Sequence, residues 1–278
     1  MKSLGTVFKQ VYSEGLKDSG FVKIKGRQLY FVRTVGGEIL HVITYASCPS
    51  SIQGKKEFMI MGGVATVYRN CINLDKTPNS NTGWILTLGD FYSKKFLMIE
   101  PYEKLNKWYS FSYEAENEES MLESVKYSLE VIKDIMIPIL DEVEDLESCI
   151  DYYEMYDEPN LNIYADEHFG QRYSSGDYNE GLLHFKMFNV EEYIARRKEC
   201  QKRCDEQMMY RISIGAIGYT IETYKEEQRF METRMNEAVK KFEGIFNNPV
   251  EYERVMKELE RRKEFNIEKL ESYGIDMT

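Results

Sequence analysis

Two strand-like runs stand either side of a pair of glycines: QLYFVRTV over residues 28–35 and EILHVITYA over 38–46, with Gly36–Gly37 between them. Aromatic and β-branched side chains favour a pleated, half-buried backbone. Adjacent glycines supply the positive φ of a tight hairpin turn. An antiparallel hairpin near the N-terminus is the feature that most constrains the fold, because a sheet has to grow outward from it. Residues 3–17 precede it as an amphipathic helix, with Leu4, Val7, Phe8, Val11, Tyr12 and Leu16 on one stripe. Gly20 is placed to end that helix in a left-handed cap. KEFMIMGGVATVY (56–68) reads as a third strand, bulged or bent at Gly62–Gly63.

INLDKTPNSNTG (72–83) is a polar loop. GWILTLGDFY (83–92) and KKFLMIEPYEKL (94–105) each carry strand-like composition, and WYSFSYEAE (108–116) reads as the last strand. A helix starts near Glu118 or Ser120 and runs to about Tyr153 along Met121, Leu122, Val125, Leu129, Ile132, Ile135, Met136 and Ile139. Pro138 is expected to kink or split it. The expected fold class is α+β: an antiparallel sheet of four or five strands with flanking helices on one face, followed by a C-terminal helical hairpin or arm.

The composition changes at 156–184, a connecting segment rich in Asn, Asp, Gly and Ser. It divides an α+β domain at 1–155 from a helical region at 185–278. In that region Ile194, Cys204, Met208 and Ile212 form a sparse stripe, continued by Phe230, Met231, Met235, Val239, Phe242 and Ile245. Asn248 as N-cap, Pro249 in the first turn and Glu251 three residues on mark the start of a last helix, and Gly274 marks its stop. Its narrow stripe, Val255, Leu259 and Leu270, suits a hairpin or coiled-coil arm better than a core helix.

The charge narrows the possible partners. The chain carries 47 acidic against 36 basic residues, a formal net charge of −11. Phosphate backbones call for a concentrated basic surface, so this balance argues against nucleic acid and suits a basic protein partner. The longest apolar run, ISIGAIGYTI at 212–221, is about half a bilayer span, so no membrane partner is expected. The N-terminus carries no apolar signal region. The cysteines (Cys48, Cys71, Cys149, Cys200 and Cys204) form an odd, scattered set, as expected of free thiols in a cytoplasmic protein.

Chemistry-bearing patterns are sparse. Lys23, Lys25 and Arg27 alternate with Val22, Ile24 and Gly26, so an extended backbone places all three on one face. They are a candidate anion site, or else an edge strand kept from aggregating by its lysines. Arg33, His41 and Arg69, with Tyr30, are candidates to line a pocket between sheet and helices. Cys200 and Cys204 share a helix face, but no matching ligand pair accompanies them. Asp90, Glu100 and Lys104 make only a loose nuclease-like set. RRKECQKR (196–203) is basic, but acidic neighbours at helical spacing explain it as ion pairing. No G-x-S-x-G elbow or phosphate-cradling glycine loop is present. No catalytic residue, metal site or cofactor is assigned.

LKDSGFVKIKGRQLYFVR (16–33), through Leu16, Lys17, Gly20, Phe21, Lys23, Gly26, Tyr30 and Arg33, resembles the signature of the bacterial domain-of-unknown-function family forty-three-oh-four. GGEILHVITYASCPS, EFMIMGGV and IMIPILDEVEDLESCIDYY resemble its following strands and closing helix. The resemblance covers roughly residues 1–155. It implies a compact α+β domain in bacteria and carries over no function, because the family has no assigned activity or catalytic residues. The expectation that follows is a non-enzymatic interaction module that binds another protein, or its own copy, through the C-terminal helices. The alternative is an enzyme or small-ligand domain using the sheet–helix pocket.

Overall fold

The computed structural model describes residues 2–26, 28–50, 52–69, 72–75, 85–96, 107–152 and 220–277, with scattered positions of a helical stretch between 191 and 213. Helix α1 (Leu4–Gly15) is capped by Ser3, whose side chain accepts from the Thr6 amide. A 3-10 turn, Lys17–Ser19, leads to Gly20 at φ 77°. There the Gly20 amide donates to the Lys17 carbonyl and the Phe21 amide to the Leu16 carbonyl, the paired closure of a glycine-capped helix end.

Among the described residues the sheet holds six strands. They are β1 (Val22–Lys23), β2 (Tyr30–Val35), β3 (Ile39–Cys48), β4 (Lys55–Thr66), β5 (Leu86–Thr87) and β6 (Phe111–Glu114). The order is β1-β2-β3-β4, with the far edge of β4 shared between β5 and β6. Gly36 and Gly37 both take positive φ in the β2–β3 turn, as the sequence requires. Two strands exceed or replace expectation: β1 and β5 are two-residue pieces, and GWILTLGDFY becomes β5 followed by helix α2 (Leu88–Phe96). The cause is a reciprocal cap. The Thr87 amide and hydroxyl both donate to the Asp90 carboxylate, and the Asp90 amide donates to the Thr87 hydroxyl.

The glycine pair in β4 makes no bulge. Its register against β3 is unbroken, with Gly62 opposite Ile43 and Gly63 opposite Val42. Gly62 serves close approach instead: a Cβ there would stand 2.5 Å from Met136 Sδ and 2.9 Å from the Val42 carbonyl oxygen. The long helix predicted from 118 is three: α3 (Glu118–Asp134), α4 (Met136–Asp141) and α5 (Leu146–Tyr152). Proline has no amide hydrogen for the carbonyl four residues back. For Pro138 that residue is Asp134, the last residue of α3.

Helices α6 (Ile221–Phe246) and α7 (Pro249–Ser272) form a hairpin across Asn247–Asn248. Asn248 caps α7 by accepting from the Val250 and Glu251 amides. At the other end Gly274 sits at φ 80°, its amide donating to Glu271 and that of Ile275 to Leu270.

The sheet separates two cores. On one face Phe31, Ile43, Phe58, Ile60 and Val64 pack against Phe8 and Tyr12 of α1, Val125 and Ile132 of α3, and Met136 and Leu140 of α4. On the other, Tyr30, Val32, Leu40, Val42, Met61 and Ala65 pack against Val255, Leu259 and Leu270 of α7, with Ile275 and Met277 after it. One expectation is corrected here. The helices up to α5 keep to one face of the sheet, and α7 covers the other as a core helix despite its narrow stripe. Its stripe is completed by Arg262 and Asn266, both buried.

Candidate functional site

Of the predicted binding residues, two meet. The β2–β3 turn fixes Arg33 directly opposite His41. Both side chains lie on the α1–α3 face, by the parity of Phe31 and Ile43. Arg33 Nε and Nη2 both donate to His41 Nδ1, at 3.2 and 2.9 Å. Nη1 donates to the Ser19 carbonyl at 3.0 Å, and Nη2 pairs with the Asp141 carboxylate at 2.6 Å. The guanidinium also lies over the Phe21 ring, 4.8 Å from its centroid. One side chain therefore ties the Gly20 corner, β3 and the end of α4 together.

An arginine only donates, so His41 Nδ1 must be bare and the ring neutral, with its hydrogen on Nε2. Nε2 closes no hydrogen bond, though the Val143 carbonyl stands close enough to favour a proton on the ring. His41 is 1 % exposed. Burial and the neighbouring guanidinium push its pKa down to about 4, against the opposite pull of Val143 and Asp141. A general base must reach the proton that it takes. This ring has one nitrogen occupied and no path to solvent, so the arrangement braces the fold rather than performing acid–base work.

The other candidates do not join it. Tyr30 points to the α7 side of the sheet. Arg69 lies in the turn after β4, where its carbonyl accepts from Asn266 of α7. The four residues therefore line no common pocket. Lys23 folds its ammonium onto the neighbouring Ile24 carbonyl at 3.0 Å. Lys25 leaves the sheet edge: its amide donates to the Tyr273 carbonyl, and its side chain runs beside Gly274 at the C-terminal end of α7. A cation there complements the helix dipole. Lys23 and Lys25 thus brace different neighbours. Arg27, Glu100, Lys104, Cys200, Cys204 and the stripe residues Ile194 and Met208 lie outside the described residues.

Two features escaped the sequence. Asp141, one carboxylate of the acidic run DEVEDLE, is half exposed yet anchors Arg33. Asn266 donates to the Val67 and Arg69 carbonyls at 2.8 Å each and accepts from the Ile72 amide at 3.0 Å. Its only signal was helical spacing: Val255, Leu259, Arg262, Asn266 and Leu270 make one stripe when polar residues are counted. Trp108, with φ at 63°, stacks on Phe111 and meets Tyr127 edge-on at the rim of the first core.

Among the described residues no three His, Cys, Asp or Glu side chains converge to hold a metal ion. No helix among them is long and apolar enough to cross a membrane. No family model matches the chain, and neither the curated proteins nor the solved structures contain a match to it.

Proposed function

We propose that this protein is a non-enzymatic interaction module whose contact element is α6 with the helical stretch before it, not the C-terminal helix. The observation that carries the reading is the described charged face of α6, which stays exposed while the stripe of α7 is spent on the sheet. Helix α7 spends its whole stripe on the sheet. At the C-terminal end of α6, Ile245 and Phe246 pack against the second core. Helix α6 has 26 residues, about 39 Å of helix. Tyr224, near its start, is buried and donates to Asp205 of the preceding stretch, so the two segments fold back on each other. The described polar face of α6 (Glu222, Lys225, Glu226, Arg229, Glu232 and Lys240) is exposed. The sequence stripe Phe230, Met231, Met235, Val239 and Phe242 recurs at helical spacing, though those side chains lie outside the described residues. The partner is another protein or a second copy of this chain, with the acidic balance suiting a basic surface.

Solution mass and partner capture test this with full-length protein and the double variant Met231→Glu/Met235→Glu. The wild type is expected to run above its 32.8 kDa monomer mass or to capture a partner, and the variant to lose whichever it was. A wild type that stays monomeric and retains nothing the variant does not also retain would overturn the reading.

A further inference from the structure

We infer that Arg33 and His41 form an acid-sensitive latch that holds the Gly20 corner and the α4–α5 turn onto the sheet and releases them when His41 takes a proton. The argument is one of donors and acceptors. His41 Nδ1 accepts two hydrogens from a guanidinium, and a histidine can accept only while that nitrogen is bare. Protonation removes the acceptor and sets two cations about 3 Å apart where water is excluded. The latch ties one side chain to three separate segments: β3 through His41, the corner through the Ser19 carbonyl, and α4 through Asp141.

The charged groups that face His41 are Arg33 of β2 and Asp141 of α4, joined by the Val143 carbonyl. On the β4 side it has only Val64 opposite. Asp141 is 52 % exposed and already engaged by Arg33, so it offsets a second cation on the ring only in part. Arg33 is the mobile member. It is 18 % exposed and can swing to water, and in doing so it gives up the Ser19 carbonyl and the Phe21 ring. Because burial and Arg33 lower the folded-state pKa of His41 to about 4, from an ordinary 6.5, the open form binds the proton and the closed form does not between those values. Opening should therefore grow about tenfold per pH unit as pH falls through that window.

Amide hydrogen exchange on the intact protein, corrected for the intrinsic pH dependence, reads the effect at Gly20, Phe21 and Val143. Those amides should lose protection from pH 6.5 to 4.5, while the paired amides of β3 and β4 keep theirs. His41→Gln offers Arg33 a neutral acceptor at every pH and should flatten the response. Should that variant fail to fold, the native ring itself reports: NMR of the His41 imidazole should show it neutral at pH 5.5. Corner protection that does not change with pH, an equal loss in His41→Gln, or an imidazole titrating near 6.5 in the closed protein would each overturn the latch.

Discussion

The two faces of the sheet are covered by different means. The α1–α3–α4 face is sealed by broad apolar stripes, and apart from the Arg33–His41 cluster its buried polar contact runs between two side chains. The Tyr12 hydroxyl donates to Ser128 Oγ at 2.8 Å, and Ser128 in turn donates to the Val125 carbonyl. The α7 face is sealed by one helix with a thin stripe. Its fully buried polar side chain reaches backbone: Asn266 serves Val67, Arg69 and Ile72, while the part-buried Lys263 and Tyr68 side chains converge on the Glu38 carboxylate at the β2–β3 turn. The difference decides which face can tolerate loss. A polar pair made of two side chains can be dissolved by changing both. A side chain that serves backbone groups cannot, because its partners stay after it has gone.

Asn266→Ala gives the largest expected effect. It leaves two buried carbonyls and one amide without a partner, at about 1–3 kcal/mol each when unsatisfied, so a loss of about 3–5 kcal/mol is expected in denaturant unfolding. Asn266→Leu, which refills the volume, should cost about as much. If Asn266→Leu restores stability, the α7 face is held by packing and the contrast between the faces disappears. Gly62→Ala comes next and probes the apolar face. The new methyl group meets the Met136 sulfur and, less forgivingly, the Val42 backbone oxygen. Overpacking of this kind costs about 1–3 kcal/mol. A neutral result would mean that α4 can retreat from the sheet, and that the first face is looser than its close approach implies.

What the sequence made legible was local chemistry. Gly20, the Gly36–Gly37 turn, the Asn248–Pro249–Glu251 start and the break before Pro138 each follow from backbone constraints within a few residues. The turn even fixes Arg33 opposite His41, so half of the latch could be drawn from register alone. Its other half could not, because Asp141 comes from a helix distant in sequence and looks like any carboxylate in an acidic run. Helix α7 was misread because only apolar positions were counted. Arg262 and Asn266 fill its stripe as buried polar residues; Arg262 pairs with Glu258 one turn back, while the partners of Asn266 lie in a loop some 190 residues away, the Asn266–Ile72 separation being 194. Strand content in GWILTLGDFY outweighed the Thr87–Asp90 cap, which is the signal that a helix starts there.

Tyr12→Phe should have the smallest effect and isolates the contrast most sharply. The pair is fully buried, and burial pushes the pKa of the phenol well above its usual range, so the hydroxyl keeps its proton at working pH. Removing it leaves Ser128 with its own donation to Val125 intact and costs about 1 kcal/mol. Ser128→Ala should cost more, because it strands the Tyr12 hydroxyl among Phe8, Phe31 and the α3 side chains. The double variant should then cost no more than Tyr12→Phe with the serine's small volume added, a coupling of opposite sense to simple addition. Thermal or urea unfolding of the three variants gives the cycle directly. If the single losses simply add, the tyrosine and serine do not satisfy each other, and the first face has no removable polar pair to set against the irreplaceable asparagine on the second.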